Sequence, residues 1–219
     1  IDQISKQTRL SLAEQAEEVE KNQKEIAKIT TKNLEAYKFY DLGTKAMYSN
    51  DFSLAIENFE KAVENDSTFS LALYQLSYSH QWFFRADEAS KYINKAVKYI
   101  DSVPEKERLY IRAQSIKDFS SRIPIYEEII NKFPNEKLAY FEVADMLYHN
   151  GTIKKSIPFF EKSLVLDPSF EFSIQHLGWA YRDVGLHDKD ITLTSQSLKI
   201  YPDKNLYKYN ELYSYLYAG

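Results

Sequence analysis

An all-α fold of stacked helix pairs is the class this sequence predicts, and three observations predict it. First, a block of 34 residues recurs five times: the column Leu42-Gly43, Leu76-Ser77, Leu109-Tyr110, Val143-Ala144 and Leu177-Gly178 advances in steps of 34, 33, 34 and 34 residues. A second column, Phe59, Ile93, Tyr126, Phe160 and Thr194, keeps the same steps. A unit this small cannot bury its own apolar face, so it must stack on its neighbours. Second, the apolar spacing is helical: Phe39, Leu42, Ala46 and Met47 share one face, and Ala55, Phe59, Ala62 and Val63 share the face of the next segment. Third, glycine and proline number only five and six in 219 residues and sit mostly at the junctions the period marks. No period-two alternation is long enough for a strand.

In chain order, residues 1–32 read as a helical extension or linker. Ile1, Ile4, Leu10 and Leu12 suggest an amphipathic start, and residues 13–30 are charged, helix-favouring and short of apolar anchors. Five units follow at 36–69, 70–102, 103–136, 137–170 and 171–204. The first helix of each pair, helix A, is predicted at 36–49, 70–83, 105–117, 137–149 and 171–184. Helix B is predicted at 53–65, 87–100, 121–133, 154–166 and 188–200. Asn50-Asp51, Asn150-Gly151 and Gly185 supply turns that tolerate left-handed backbone. Pro134, Pro168 and Pro202 close three B helices, because proline cannot continue the hydrogen-bond ladder. Pro124 and Pro158 share a column early in helix B, and the expectation there is a helix that begins one turn late, with a kink as the alternative. Residues 205–219 form one more stripe, Leu206, Tyr209, Leu212, Tyr213 and Leu216, as a capping helix does at the open end of a stack.

Several columns have plain physical reasons. Gly43, Ser77, Ala144 and Gly178 are small where helix A approaches helix B, and Ala55, Ala62, Ala89 and Ala96 do the same from helix B. Phe59, Ile93, Tyr126 and Phe160 fill the space between units. Repeat three departs from this with Tyr110 in the small column and Arg122 where alanine is expected, and Asp190 and Thr194 depart in repeat five. Looser packing is expected there.

These columns resemble the tetratricopeptide repeat: a large apolar residue, Leu-Gly three residues on, an aromatic or small residue, then alanine, an aromatic four later and a closing proline. Ile174, Leu177, Gly178, Tyr181 and Pro202 match it, as do Phe39, Leu42, Gly43, Ala55 and Phe59, and the resemblance covers about residues 36–204. It implies a right-handed α-solenoid whose A helices line a concave face that grips protein segments. The stretch Thr30 to Tyr37, with Glu107-Arg108-Leu109-Tyr110-Ile111, is similar to the repeat region of bacterial multidomain regulators, in which a kinase, a nucleotide cyclase or a transcription regulator lies upstream.

Composition excludes other classes. With 28 basic and 32 acidic side chains the net charge is −4, which offers a phosphate backbone or an anionic membrane no attractive field, so nucleic acid is not the expected partner. The absence of cysteine removes disulfides, thiolate metal sites and cysteine nucleophiles; it fits a reducing compartment, with the cytoplasm as the expectation, and equally a secreted chain without disulfides. No run approaches the ~18 apolar residues of a membrane span. Starting at Ile1 and ending at Gly219 just past a helical pattern, the chain reads as part of a longer protein.

Helix A residues outside the core columns are the candidate site. Tyr40, Tyr74, Tyr78, Trp82, Phe141, Asp145, Tyr148, Trp179 and Arg182 are expected to line the groove, the aromatics as anchors and the two charges as determinants of direction. Tyrosine and tryptophan give large contact area at low entropy cost and keep one polar atom for a ligand backbone. Tyrosine is abundant here, 18 residues, so some of these rings are equally accounted for by packing. The lysine-asparagine clamp by which chaperone-tail binders of the tetratricopeptide-repeat family hold a terminal carboxylate is missing here, since the corresponding places hold Tyr40 and Thr44.

Catalysis is not expected, nor is a cofactor or metal. His80 lies in a core column and reads as a packed, hydrogen-bonded histidine. His149 and His187 fall near turns, and His176 has no histidine or carboxylate at i+4. No His-Glu-x-x-His, phosphate loop or nucleophile elbow occurs. Asp188 and Asp190, two apart on a helix, point to different faces. Asn150-Gly151-Thr152 matches a glycosylation acceptor but reads as turn chemistry. The function predicted is a protein-interaction module. Its alternatives are a regulatory or sensory part of a larger signalling enzyme and a scaffold that self-associates through its end helices.

Overall fold

A computed structural model describes residues 31–205, 207–210 and 212. The extension at 1–30, and Leu206, Tyr213 and Leu216 of the capping stripe, lie outside the described residues. Among those described there is no strand, and consecutive helices pack in pairs, as the period requires. The fold class is all-α, of the α-solenoid type.

The chain divides into two compact units, the first ending at Ile111 and the second beginning at Arg112. In the first, α1 (Leu34–Tyr48) packs on α2 (Phe52–Asn65), α2 on α3 (Ser70–Trp82), and α3 on α4 (Ala86–Lys98). A 3-10 turn over Ile100–Ser102 leads to α5 (Glu105–Ser115). Asn33 starts α1 by accepting the amides of Glu35 and Ala36 at 3.0 and 3.1 Å, and Asp51 starts α2 by accepting that of Leu54 at 3.0 Å. The core comprises Ala46, Met47, Ala55, Ile56, Phe59, Leu76 and Tyr78, all buried, with Tyr40, Phe52, Val63, Trp82 and Tyr92 packed against it. Burying a ring such as Phe59 contributes roughly 1.5–3 kcal/mol, so a few such columns hold each pair together.

The second unit contains the rest of α5, a 3-10 turn at Ser120–Arg122, α6 (Ile123–Lys132), α7 (Lys137–His149), α8 (Ile153–Leu166), α9 (Glu171–Asp183) and α10 (His187–Ile200). From α6 onward each helix packs on the next. Residues 205, 207–210 and 212 are helical, and buried Tyr207 donates its hydroxyl to Glu171 at 3.1 Å while stacking on Tyr201.

Four of the five A-to-B turns use one device. Asn50, Phe84, Gly151 and Gly185 have φ of 61°, 56°, 77° and 76°, each one residue past the helix C-cap. The following amide reaches back five residues: Asp51 to Ala46, Arg85 to His80, Thr152 to Leu147 and Leu186 to Tyr181, at 2.8–3.0 Å. This is the Schellman closure, which satisfies the last carbonyls of helix A. Phe84 is the unforeseen member, since neither glycine nor asparagine marks it.

Helix bounds fall within two residues of expectation, and the exceptions have causes. Pro124 enters α6 at its first turn, where its missing N–H costs nothing, as expected. Pro158 does not follow suit: α8 begins at Ile153 and Pro158 lies inside it, because the preceding turn already closes at Thr152. Arg122, in the alanine column, is buried, yet its guanidinium donates to the Ile116 carbonyl at 2.8 Å and to Gln114 at 3.2 Å and lies over the Phe119 ring. Repeat three also has the shortest helices, 11 and 10 residues.

Candidate functional site

The predicted groove residues separate into two populations. Tyr74, Tyr78 and Phe141 are core residues, with relative exposures of 6%, 3% and 1%, which corrects the expectation that they face solvent. Tyr110, the large residue in a small column, extends to within 6.4 Å of the Tyr74 ring and helps close over it. Tyr78 meets Tyr74 and Trp82 at 6.3 and 6.2 Å in an i, i+4 row that belongs to the first unit's core. Phe141 is ringed by Phe160, Phe170, Phe172 and His176, all within 5.9 Å. Tyr40 is half-buried between Phe59 and Phe69, and burial raises its pKa well above the usual tyrosine range.

Arg182 is likewise committed within the fold. Its Nη1 bridges both carboxylate oxygens of Asp190, at 3.0 and 2.9 Å, and Asp190 is fully buried. The residue that looked like a defect in the alanine column is therefore half of an ion pair. Gly178 makes room for it: a Cβ there would lie 3.2 Å from Asp190 Oδ1.

What remains accessible is Trp82, stacked on Phe52 at 5.7 Å in the first unit, and Tyr148 and Trp179 in the second. Trp179 is 40% exposed and lies 4.6 Å from the His176 ring. Tyr148 is 5.2 Å from His149 and donates its hydroxyl to Asp183 at 2.7 Å; burial and that carboxylate push its pKa up to about 12. Tyr148, His149, His176 and Trp179 thus form one run of rings across α7 and α9.

Asp145 lies beneath this run, and the sequence reading missed its partners. His149, one turn further along α7, places Nε2 3.3 Å from Asp145 Oδ1, and His176 of α9 places its own Nε2 at the same distance. His176 Nδ1 is 2.8 Å from the Phe172 carbonyl, which can only accept, so the proton of the neutral ring sits on Nδ1. Burial pulls the pKa of His176 below the usual range, against the pull of Asp145, whereas contact with Asp145 raises that of the exposed His149. The carboxylate that faces His176 comes from the preceding repeat, so spacing along its own helix does not reveal it.

His80, the histidine expected in the core, is buried and stacked flat on Tyr92 at 5.5 Å. Neither ring nitrogen has a hydrogen-bond partner among the described residues, which corrects the expectation of a bonded histidine, and burial lowers its pKa. Asp188 is exposed while Asp190 is buried, the divergence expected of i, i+2 positions. A separate cavity of about 810 Å³ is lined by Leu164, Val165, Leu177, Leu193 and Ile200, among others, and it too lies in the second unit.

No protein-family model matches the chain, and no curated protein does. Solved structures do. The thermophilic tetratricopeptide-repeat protein TTC0263 of Thermus thermophilus is 14% identical over 83% of this chain and 99% of its own, with a TM-score of 0.62. The Cut9-Hcn1 hetero-tetramer of the APC/C is 18% identical over 84% of this chain and 37% of that one, with a TM-score of 0.60. YrrB, a tetratricopeptide-repeat protein described as having an unusual peptide-binding site, is 17% identical over 78% and 89%, at a TM-score of 0.46. The fold of this chain is that of the tetratricopeptide-repeat proteins.

Proposed function

We propose that this chain is a protein-interaction module that holds an extended or helical segment of a partner against its A helices. The observation that carries the reading is the run of accessible rings Tyr148, His149 and Trp179, contributed by two successive A helices and bordered by the Asp183 carboxylate. Such rings desolvate readily, lose little entropy and keep polar edges for a peptide backbone, the profile of interface hot spots. Trp82 is the corresponding anchor on the first unit. Two successive repeats presenting these side chains on rigid helices give a preformed surface, which lowers the ordering cost of binding. The Cut9-Hcn1 assembly, in which a similar fold forms part of a protein complex, supports the same reading. A non-enzymatic role follows from it.

Selection of a displayed peptide library on the purified chain tests the proposal. Peptides enriched on the wild type are expected to lose most of their affinity for a Tyr148→Ala/Trp179→Ala variant of unchanged helical content. Equal affinity for both proteins would remove the ring run from the binding surface.

A second reading, self-association through the C-terminal end, is favoured by one observation: Val165 and Ile200 are exposed at the apolar cavity, and Tyr209 and Leu212 are exposed further along the chain. A molar mass that rises with concentration in light scattering, and returns to the monomer value in Val165→Lys, would support it over a purely monomeric binder.

A further inference from the structure

We infer that Asp145, His149 and His176 form a binding site for a divalent transition-metal ion of the zinc type, with one coordination position open on the His149 side. The ligand atoms, one per residue, all lie within 4.8 Å of one another. Two of the three separations, Asp145 Oδ1 to each histidine Nε2, are 3.3 Å. That is too long for a charge-assisted hydrogen bond, which is about 2.7–2.9 Å. It matches the length of a tetrahedral edge: two ligands about 2.0–2.1 Å from zinc at the tetrahedral angle stand about 3.3 Å apart.

The hydrogen bonding points the same way. His176 commits its Nδ1 proton to the Phe172 carbonyl, so its Nε2 lone pair is directed at a carboxylate oxygen, one acceptor facing another. Asp145 Oδ1 is buried and makes no hydrogen bond among the described residues. A cation between them converts this opposition into two bonds. An imidazole whose far nitrogen donates to a backbone carbonyl is also how metal-bound histidines are held in tautomer and orientation.

Donor chemistry selects the ion. Two imidazoles and one carboxylate favour zinc, cobalt, nickel or copper, whereas magnesium and calcium take oxygen ligands almost exclusively. Phe141, Phe160 and Trp179 pack around His176 and form a low-dielectric wall on one side. His149 is mostly exposed, so the fourth position is reached from solvent by water or by a donor atom of a bound segment. The ion would fasten α7 to α9 beneath the aromatic run, joining repeats four and five inside one compact unit.

Titration of the chelator-stripped chain with zinc chloride by calorimetry tests the inference. One ion per chain is expected, together with a thermal midpoint that rises with zinc but not with magnesium. Cobalt is expected to give the intense visible absorption of a tetrahedral site. His149→Ala touches an exposed side chain and leaves the fold in place; it and Asp145→Asn should each weaken zinc binding by more than about 10-fold. His187→Ala should leave it unchanged. Absence of zinc binding by the wild type, or equal affinity in the wild type and His149→Ala, overturns the site, as does loss of binding in His187→Ala alone.

Discussion

The α-carbon of Gly43 lies against the face of Phe59: a Cβ built on that glycine would stand 2.7 Å from Phe59 Cδ1 and Cε1. Phe59 is fully buried between α1, α2 and the next repeat, so its ring has nowhere to retreat. Gly43→Ala therefore forces α1 and α2 apart and should destabilise the first unit by about 1–3 kcal/mol, despite alanine's better helix propensity. A lower thermal midpoint by circular dichroism is the expected result. Gly151→Ala is the control of opposite origin: nothing lies within 4 Å of the added carbon, and any loss there comes from the positive φ of 77°.

Arg182 and Asp190 give the second prediction. Asp190 is fully buried and Arg182 partly so, and removing the arginine strands the aspartate's charge away from water. Arg182→Met should cost about 3–5 kcal/mol, whereas Arg182→Met combined with Asp190→Ala should recover most of that loss, since a buried pair replaced whole is often neutral. Comparing the thermal midpoints of the two single variants and the double variant measures the coupling. Additive losses would mean the pair contributes no specific interaction.

Acid sensitivity supplies a third. Asp66 and Asp167 close the B-to-A turns of repeats one and four in the same way, each accepting both the amide and the hydroxyl of the residue two further on, Thr68 or Ser169. Asp66 also accepts the hydroxyl of Thr31, just ahead of repeat one, at 2.5 Å, and Asp167 pairs with the Lys137 ammonium at the start of repeat four. Burial alone would raise both pKa values, but these hydrogen bonds outweigh it and hold them below the usual carboxylate value. A depressed folded-state pKa means stabilisation that is complete above the unfolded value of about 3.9 and is lost as pH falls through the folded value. The thermal midpoint should hold steady near neutrality and fall below about pH 4. Asp66→Asn/Asp167→Asn should start lower at pH 7 and fall less steeply; an unchanged acid slope would remove these turns as its source.

How much of this was legible follows from what a period reports. The 34-residue step and the apolar columns fixed every described repeat helix to within two residues, because glycine, asparagine and proline punctuate where backbone chemistry demands it. The period places a residue on a helix face but is silent about what the neighbouring repeat lays over that face. That is why Tyr74 and Tyr78 read as exposed, although Tyr110 of the next repeat lies against Tyr74 and Tyr78 packs into the cluster with Met47 and Phe59 of the preceding one. The Asp145, His149 and His176 cluster was missed for a related reason. Asp145 and His149 at i, i+4 were a readable pair, but the third member stands 31 residues further on, a separation only packing between repeats turns into contact. Arg182 and Asp190 erred in the other direction: an acidic residue in an alanine column looked like weakness until its arginine was found one helix away.

Phe84 completes the set, because nothing in its chemistry suits its place. It occupies the Schellman position with φ of 56°, where the equivalent residues are Asn50, Gly151 and Gly185, and it is 96% exposed. A bulky L-residue in that conformation carries strain of about 1–2 kcal/mol, and with almost all of its ring in water it recovers little by burial. Phe84→Gly should therefore raise the thermal midpoint of the first unit, and Phe84→Asn should raise it less. Trp82 stacks on Phe52 and Phe83 lies edge-on to Phe52 at 6.3 Å, so Phe84 is the next residue along the chain from an aromatic cluster and stands out in solvent. The same substitution thus separates two effects of one side chain. Greater stability with unaltered peptide affinity would make Phe84 a tolerated cost, whereas greater stability with weakened affinity would make its strain part of how the first unit presents an anchor to its partner.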